Sequence, residues 1–379
     1  MASLTRPVLI SDQAALQAML KQLRDKPSIA IDTESNSLYV YQERVCLIQI
    51  SIPGADFLID PFPTTLKWQA LGEIFADAKI EKLFHACEYD VISMRRDFGF
   101  DFANVFDTMW AARILGWPRV GLADILQKHF NVALNKRWQR FNWGRRPLPL
   151  DALSYARLDT HYLHALRDLQ LQELQAKGRM EETREIFSEV VQGALDMREE
   201  NTRRDGFWRV KGVFDLSPVA RAVLRELYEY RESEASRADQ PPFKVLSEHT
   251  LFEIANERLT NLDQLEMIGG LNNAKIARHG RQLLQAVQRG KQAEPPKAPP
   301  RSWIEPQVLE RYERLRDWRK QVARQRGVES DVIISNSALM AIARRDAGGL
   351  DDLQGISGLG AWRLKMYGAA IIDVLREQQ

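Results

Sequence analysis

The sequence predicts an α/β domain, a mixed sheet flanked by helices, followed by two small all-α helical bundles. Two observations carry this. Over roughly the first 150 residues, short β-branched runs alternate with longer amphipathic stretches, the pattern of strands with helices on the sheet faces. Beyond that the strand signal fades, and the C-terminal half repeats one helical pattern. The chain has 379 residues, which at about 150 per domain allows two or three domains. Its 45% hydrophobic and 27% charged residues exclude a disordered chain.

The elements follow in order. Residues 8–10 read as a strand, and Ser11 and Asp12 offer an N-cap for a helix to about Leu23. Residues 28–34 (SIAIDTE), 45–51 (VCLIQIS) and 57–59 are further strands. A helix around 71–76, a strand at 82–85 and a helix at 89–98 come next. Val105 and Phe106 then lead to Asp107, an N-cap for a helix over 108–115. Residues 151–175 and 181–200 read as long, charged, amphipathic helices.

Sliding the C-terminal half against itself by 88 positions aligns Pro218 with Pro306, Leu227 with Leu315, Arg231 with Arg319 and Ala235 with Ala323. Leu251, Ile254 and Ala255 fall on Leu339, Ile342 and Ala343, and Ile268 and Gly270 on Ile356 and Gly358. Apolar residues at helical spacing with glycines at turns indicate one helical domain present twice. Between the copies, residues 293–300 hold four prolines, the composition of an extended spacer. The expected division is 1–205, 206–292, a linker at 293–304, and 305–379.

Several classes are excluded. The only cysteines, Cys46 and Cys87, make neither a disulfide framework nor a zinc site and suit a reducing cytosol. No apolar run approaches the roughly 18 residues of a membrane span. The start, MASLTRPVLISDQAALQ, lacks the basic and apolar regions of a signal peptide, so a cytoplasmic protein is expected. The Gly290-Lys291 pair is followed by Gln292, so no phosphate-binding P-loop is present. With 53 basic and 51 acidic residues the net charge is only +2, so nucleic-acid affinity must come from local patches.

Residues that could carry chemistry are scattered. Asp32 and Glu34 stand two apart on a strand and so share one face. Such carboxylates repel unless a cation lies between them, and Mg²⁺ or Mn²⁺ prefers hard oxygen ligands; the plainer reading is a solvated strand end. Asp90 opens a helix, where the dipole favours an acid in any case. Tyr155 and Asp159 lie four apart on an expected helix and stack one turn apart. Either Asp159 is a ligand beside a hydroxyl that holds water, or a packed tyrosine neighbours a surface acid.

Taken together, D-x-E on a strand, D opening a helix and Y-x-x-x-D on a later helix resemble the tyrosine subclass of the DEDD superfamily of 3′→5′ exonucleases. The flanking segments IDTES, CLIQIS, FHACEYD, FDTMWAARIL and RPLPLDALSYARLDTHYL are similar to the ribonuclease D family and its exosome relatives, over about residues 29–166. The repeated module, with Tyr230-Arg231 and Trp318-Arg319 near its start and an I-x-G-L turn, resembles the helicase-and-ribonuclease-D C-terminal (HRDC) domain.

The resemblance implies an RNase H-like exonuclease fold followed by two HRDC bundles. It makes Asp32 a ligand bridging two divalent metal ions, Mg²⁺ or Mn²⁺. Glu34 and Asp159 complete the ion on the nucleophile side, Asp90 holds the second, and Tyr155 orients the attacking water. The implied activity is metal-dependent 3′→5′ exoribonuclease trimming of RNA with a free 3′ end, tRNA precursors among them, to nucleoside 5′-monophosphates, by a chain favoured as a monomer. A DNA exonuclease and a catalytically silent RNA-binding scaffold are the alternatives. The histidine subclass has its histidine where Ser154 stands here. His85, His161 and His164 are expected in structural roles, and Asp107 as a cap. Ser35-Asn36-Ser37 after D-x-E is closer to the exosome branch.

Residues 135–146, NKRWQRFNWGRR, hold five basic residues and no acid. Two readings stay open. Arg137, Arg140, Arg145 and Arg146 contact phosphates while Trp138, Phe141 and Trp143 stack on unpaired bases, or the segment is a basic surface loop with its aromatics in the core. The 310–326 helix is also basic, with Arg311, Arg314, Arg316, Arg319, Lys320, Arg324 and Arg326 against Glu310, Glu313 and Asp317.

Overall fold

The computed structural model describes residues 6–63, 65–196, 203–257, 259–299, 304–345 and 347–376. The expected helix end at 197–200, the start of the Met1 segment and Pro300 of the spacer lie outside them. Six strands form one mixed sheet in the order β1-β4-β3-β2-β5-β6. They are β1 (Val8–Ile10), β2 (Ser28–Ser35), β3 (Val45–Ile52), β4 (Ala55–Ile59), β5 (Glu81–Phe84) and β6 (Val105–Asp107). β2, β3 and β4 run antiparallel in succession, while β1 joins β4, β5 joins β2 and β6 joins β5 in parallel. All eight residues of β3 are buried, which explains why its sequence is a nearly continuous apolar run.

Helices cover both faces. On one, Ile29, Ile31, Ile48 and Ile50 pack with α1 (Gln13–Arg24), α2 (Gln69–Ala76) and α3 (Glu88–Phe98) through Leu16, Phe75 and Val91. On the other, Ala30, Leu83 and Phe106 join a core with α4 (Thr108–Leu115), α5 (Leu122–Phe130) and residues further along the chain. Asp12 caps α1 by accepting from Ala15 N at 2.8 Å, and Asp107 caps α4, as the spacing predicts.

The helix expected over 151–175 is three pieces: α6 (Leu150–Ala156), α7 (Leu158–His161) and α8 (Leu163–Ala176). The breaks fall at Arg157 and Tyr162. Arg157 is buried, with its Nε 3.9 Å from Asp56. α9 (Met180–Asp196) follows.

The compact units cut across the division read from sequence. One comprises Met1–Ser35, Val45–Met197 and Ile304–Gln379; the other comprises Asn36–Arg44 and Arg198–Trp303. Each repeat has its own apolar core. The identities seen at the 88-residue offset lie in those cores, with Leu227, Leu251, Leu315 and Leu339 fully buried. In the second unit α10 (Pro218–Arg237) is followed by α11 (Pro242–Val245), α12 (Glu248–Glu257), α13 (Leu262–Leu265) and α14 (Asn273–Gln292), and α10, the turn after it and α11 hold the β2–β3 connection. Glu232 accepts from the Tyr41 hydroxyl at 3.1 Å, Asp239 accepts from Tyr41 N at 3.2 Å, and Lys244 lies over the Tyr39 ring.

The second repeat is packed against α4 and α9 of its own unit. It contains α15 (Pro306–Arg326), α16 (Ser330–Ile333), α17 (Asn336–Arg344) and α18 (Ala361–Arg376). Glu182, fully buried, receives both guanidinium nitrogens of Arg326 at 2.8 and 2.6 Å. Glu185 accepts from Trp362 N and Arg363 N at the start of α18, and Glu189 pairs with Arg363. Arg113 pairs with Asp331. Several basic residues of α15 are therefore internal to the fold: Arg326 as described, Arg319 bonded to Ile334 O and Asn336, and Arg311 bonded to Ala343 O.

Candidate active site

β5 pairs only with the first part of β2, from Ser28 to Ala30. The later part of β2, with Asp32 and Glu34, pairs with β3 alone, so its other edge is open to α3. There the Thr33 hydroxyl and backbone N–H both donate to Asp90, the hydroxyl at 2.5 Å. Ser35 meets the Tyr89 hydroxyl at 3.1 Å. Asp90 lies in the first turn of α3, where the unpaired amides favour an anion. Across the other edge, Gln49 Nε2 donates to Asp32 at 3.3 Å.

A bulge shapes the neighbouring strand. Glu34 pairs with Leu47 but Ser35 with Val45, so the register slips between them. The extra residue, Cys46, joins Leu47 in the same apolar cluster, although consecutive strand residues normally face opposite sides. That cluster also holds Tyr155, Trp143 and Trp138. Bulges commonly re-aim side chains beside functional sites.

Asp32, Glu34, Asp90, Tyr155 and Asp159 come together from four separate elements, β2, α3, α6 and α7. Burial raises Asp32 well above the carboxylate range, and Asp159 raises it further. Glu34 is raised by burial and then by Asp32, Asp159 and Asp90. Asp90 is raised by burial and Asp32, against the opposing hydrogen bonds from Thr33. Asp159 is raised by burial and Asp90. The Tyr155 phenol is pushed up by burial and by Asp159, Glu34 and Asp32, so it keeps its proton. The helix is interrupted between Tyr155 and Asp159, but both face the other acids.

Among the described residues, no Lys or Arg forms an ion pair with any of the four acids. The buried Gln49 Oε1 beside them has no hydrogen-bond partner. Four hard oxygen donors with uncompensated charge and an orphaned buried acceptor fit a divalent cation. Cys87, Glu88 and Asp107 also bring ligand atoms within 4.8 Å of one another, but their capacity is spent. Asp107 accepts from Ala86, Cys87, Met109 and Trp110 backbone N–H. Glu88 accepts from the Trp110 indole, and burial pushes the Cys87 thiol up. Asp107 is thus a bracket between α3 and α4.

The histidines sit in packing. His85, lowered to about 4 by burial, meets the Thr108 hydroxyl at 2.9 Å. His161 meets Asp56, and His164 bridges Ser28 and Ser51. Sequence reasoning missed Thr33 and Gln49, which touch Asp90 and Asp32. Gln49, a polar residue in an otherwise apolar buried strand, was the available signal.

The reading of residues 135–146 is corrected in part. Trp138 and Trp143 are buried, at 8% and 1% exposure, so they are core residues and cannot stack on bases; Phe141 packs edge-on between them. Arg146 is also taken. It donates to Asp60, to Trp143 O and to Cys46 O at 2.6 to 2.9 Å. Arg137, Arg140 and Arg145 are exposed, with Arg137 over the Trp138 ring.

Residues 7–175 match the 3'-5' exonuclease family, and residues 220–287 and 308–375 each match the HRDC domain. The chain is 26% identical to ribonuclease D of Pseudomonas paraeruginosa over 97% of its own length and 96% of that protein. It is 32% identical to RRP6-like protein 1 of Arabidopsis thaliana over 69% of its length, but spans only 42% of that relative. In fold it is similar to Escherichia coli RNase D, with a TM-score of 0.73, 22% identity, and coverage of 99% of this chain and 100% of that one.

Proposed function

We propose that this chain, whose residues 7–175 match the 3'-5' exonuclease family, is an exonuclease of the ribonuclease D type that trims RNA from a free 3′ end and releases nucleoside 5′-monophosphates. The observation that carries this reading is the meeting of four unneutralised acids and one protonated phenol. In it, Asp32, Glu34, Asp90 and Asp159 would hold divalent cations, Mg²⁺ or Mn²⁺, with Glu34 and Asp159 serving one position, Asp90 the other, and Asp32 shared between them. When bound, such ions supply charge neutralisation at the scissile phosphate and activate water. The protein's own part is positional. β2 presents Asp32 and Glu34 to one side, Thr33 fixes Asp90, and Gln49 steadies Asp32. The Tyr155 hydroxyl, kept protonated, aligns the water whose oxygen attacks phosphorus as the bond to the 3′ oxygen breaks.

A catalytically silent scaffold has no use for four mutually repelling acids. Structured RNA such as a tRNA precursor is the proposed substrate, with Arg137, Arg140 and Arg145 as phosphate contacts. The domain division at 205, 292 and 304 follows the sequence. A cytoplasmic location is proposed from Cys46 and Cys87, both buried and not disulfide-bonded; no described helix is long and apolar enough to cross a membrane. The test is a time course on free-ended and 3′-blocked RNA, with a DNA oligonucleotide in parallel, with and without Mg²⁺ or Mn²⁺. Metal-dependent release of monophosphates from the free-ended RNA alone is expected. Cutting of blocked RNA, or of DNA in preference, would overturn the reading.

A further inference from the structure

The segment over 135–146 has a second use that its composition does not suggest. Trp143 lies against Tyr155, with ring centroids 6.4 Å apart and planes at 28°. Both are buried in one cluster with Cys46, Leu47, Leu58 and Ala152. A ring in such a stack can neither tilt nor slide without opening a void, and close-packed interiors resist that. Among the described residues none hydrogen-bonds the Tyr155 hydroxyl, so its direction is set by what touches the ring.

Trp143 is itself held from behind. Its carbonyl accepts from Arg146 Nη1 at 2.7 Å. The same guanidinium is fixed by Asp60 at 2.6 and 2.9 Å and by Cys46 O at 2.8 Å, and lies over the Phe62 ring. Cys46 is the extra residue of the bulge opposite Glu34 and Ser35. One bidentate ion pair therefore connects the loop, the bulge and the tyrosine's packing partner. Such pairs are directional as well as strong.

We propose that Trp143 is a positioning residue for Tyr155, held by the Asp60–Arg146 pair, and that the loop at 135–146 supports the active site as well as bordering it. This rests on Tyr155 acting as described under Proposed function. It assigns to Arg146 the fixing of Trp143 in place of an RNA phosphate.

The experiment measures kcat and KM on a short 3′-terminal RNA oligonucleotide with Mn²⁺. Its variants are Trp143→Leu, Trp143→Phe, Arg146→Gln, Tyr155→Phe and the double Trp143→Leu/Tyr155→Phe, each checked for folding by circular dichroism. Trp143→Leu and Arg146→Gln should lower kcat about tenfold or more, as misplacement by a fraction of an ångström does, with KM nearly unchanged. Trp143→Phe, which keeps a ring against Tyr155, should recover most of the lost rate. The double variant should be no slower than Tyr155→Phe alone. Equal rate losses from Trp143→Leu with and without the tyrosine hydroxyl would overturn the proposal and leave the nuclease reading intact. So would a rise in KM at constant kcat for Arg146→Gln. Tyr155→Phe cutting at the wild-type rate would overturn both. Should Trp143→Leu fail to fold, Arg146→Gln in the two backgrounds gives the same answer.

Discussion

Thr33 donates its hydroxyl to Asp90 at 2.5 Å across 57 positions of sequence. This contact ties the open edge of the central strand to the first turn of α3. Each of its residues is unremarkable by itself; the strand edge that β5 leaves uncovered brings them together. Replacing Thr33 with Val keeps the shape and removes the donor. Activity should fall about tenfold, the usual scale for losing a partner behind a metal-binding side chain, and the Mn²⁺ concentration giving half-maximal rate should rise.

Asp32→Asn should reduce hydrolysis by about 100-fold or more while a 3′-end-labelled RNA still binds in a filter assay. Retained turnover at the wild-type rate would show that Asp32 holds no metal.

The metal-free protein should be less stable at high pH. The folded values of Asp32, Glu34, Asp90 and Asp159 are all raised. Above the ordinary carboxylate value of about 4, the unfolded chain gives up these protons while the folded chain retains them. The folded state then binds more protons, so stability falls as pH rises through this window and levels off once the folded groups ionise. Melting curves in a chelator at several pH values should show the decline, and saturating Mg²⁺ should remove most of it.

The second repeat should behave as part of its unit. Arg326→Ala strands Glu182, which has no exposed surface. Breaking one half of a buried pair costs about 3–5 kcal/mol, visible in urea melts. Replacing Arg326 and Glu182 together by Leu should restore much of that loss. Gly116 gives a second test. Its φ is +78°, and a Cβ there would run into the Gly327 carbonyl oxygen, whereas a Cβ at Gly327 meets nothing within 4 Å. Gly116→Ala should therefore destabilise the protein well beyond Gly327→Ala, which bears only the left-handed strain of about 1–2 kcal/mol.

Arg137, Arg140 and Arg145 test the RNA path. Changing all three to Gln should weaken single-stranded RNA binding and reduce the slope of log affinity against log salt by about 2. An unchanged slope would remove these residues from the interface.

Much of this was legible in sequence. Strands and caps such as Asp12 and Asp107 are local signals, written in alternation and capping chemistry. The five-residue set was legible as a pattern, although no one member of it was. Three things were not. The break at Arg157, whose buried side chain lies 3.9 Å from Asp56, is one that helical periodicity does not register. The fate of Trp138 and Trp143 depends on which side of a loop faces the core, and composition is silent on that. The grouping of the second repeat with the sheet domain depends on Arg326, Asp331 and Arg363. At the 88-residue offset these stand where the first repeat has Ala238, Phe243 and Lys275, so the copies diverge at positions outside the shared apolar pattern, to which a repeat search gives no weight.

The segment Asn36–Arg44 belongs with the first repeat, although it connects two strands of the sheet. A shortened chain ending near residue 196 would therefore keep Tyr39 and Tyr41 but lose Lys244, Glu232 and Asp239, their partners. Tyr41, which packs against the core of that repeat, would lose this packing on a loop that begins one residue after Ser35. Such a fragment is expected to be prone to self-association, and its rate constants would describe a hairpin without its anchor.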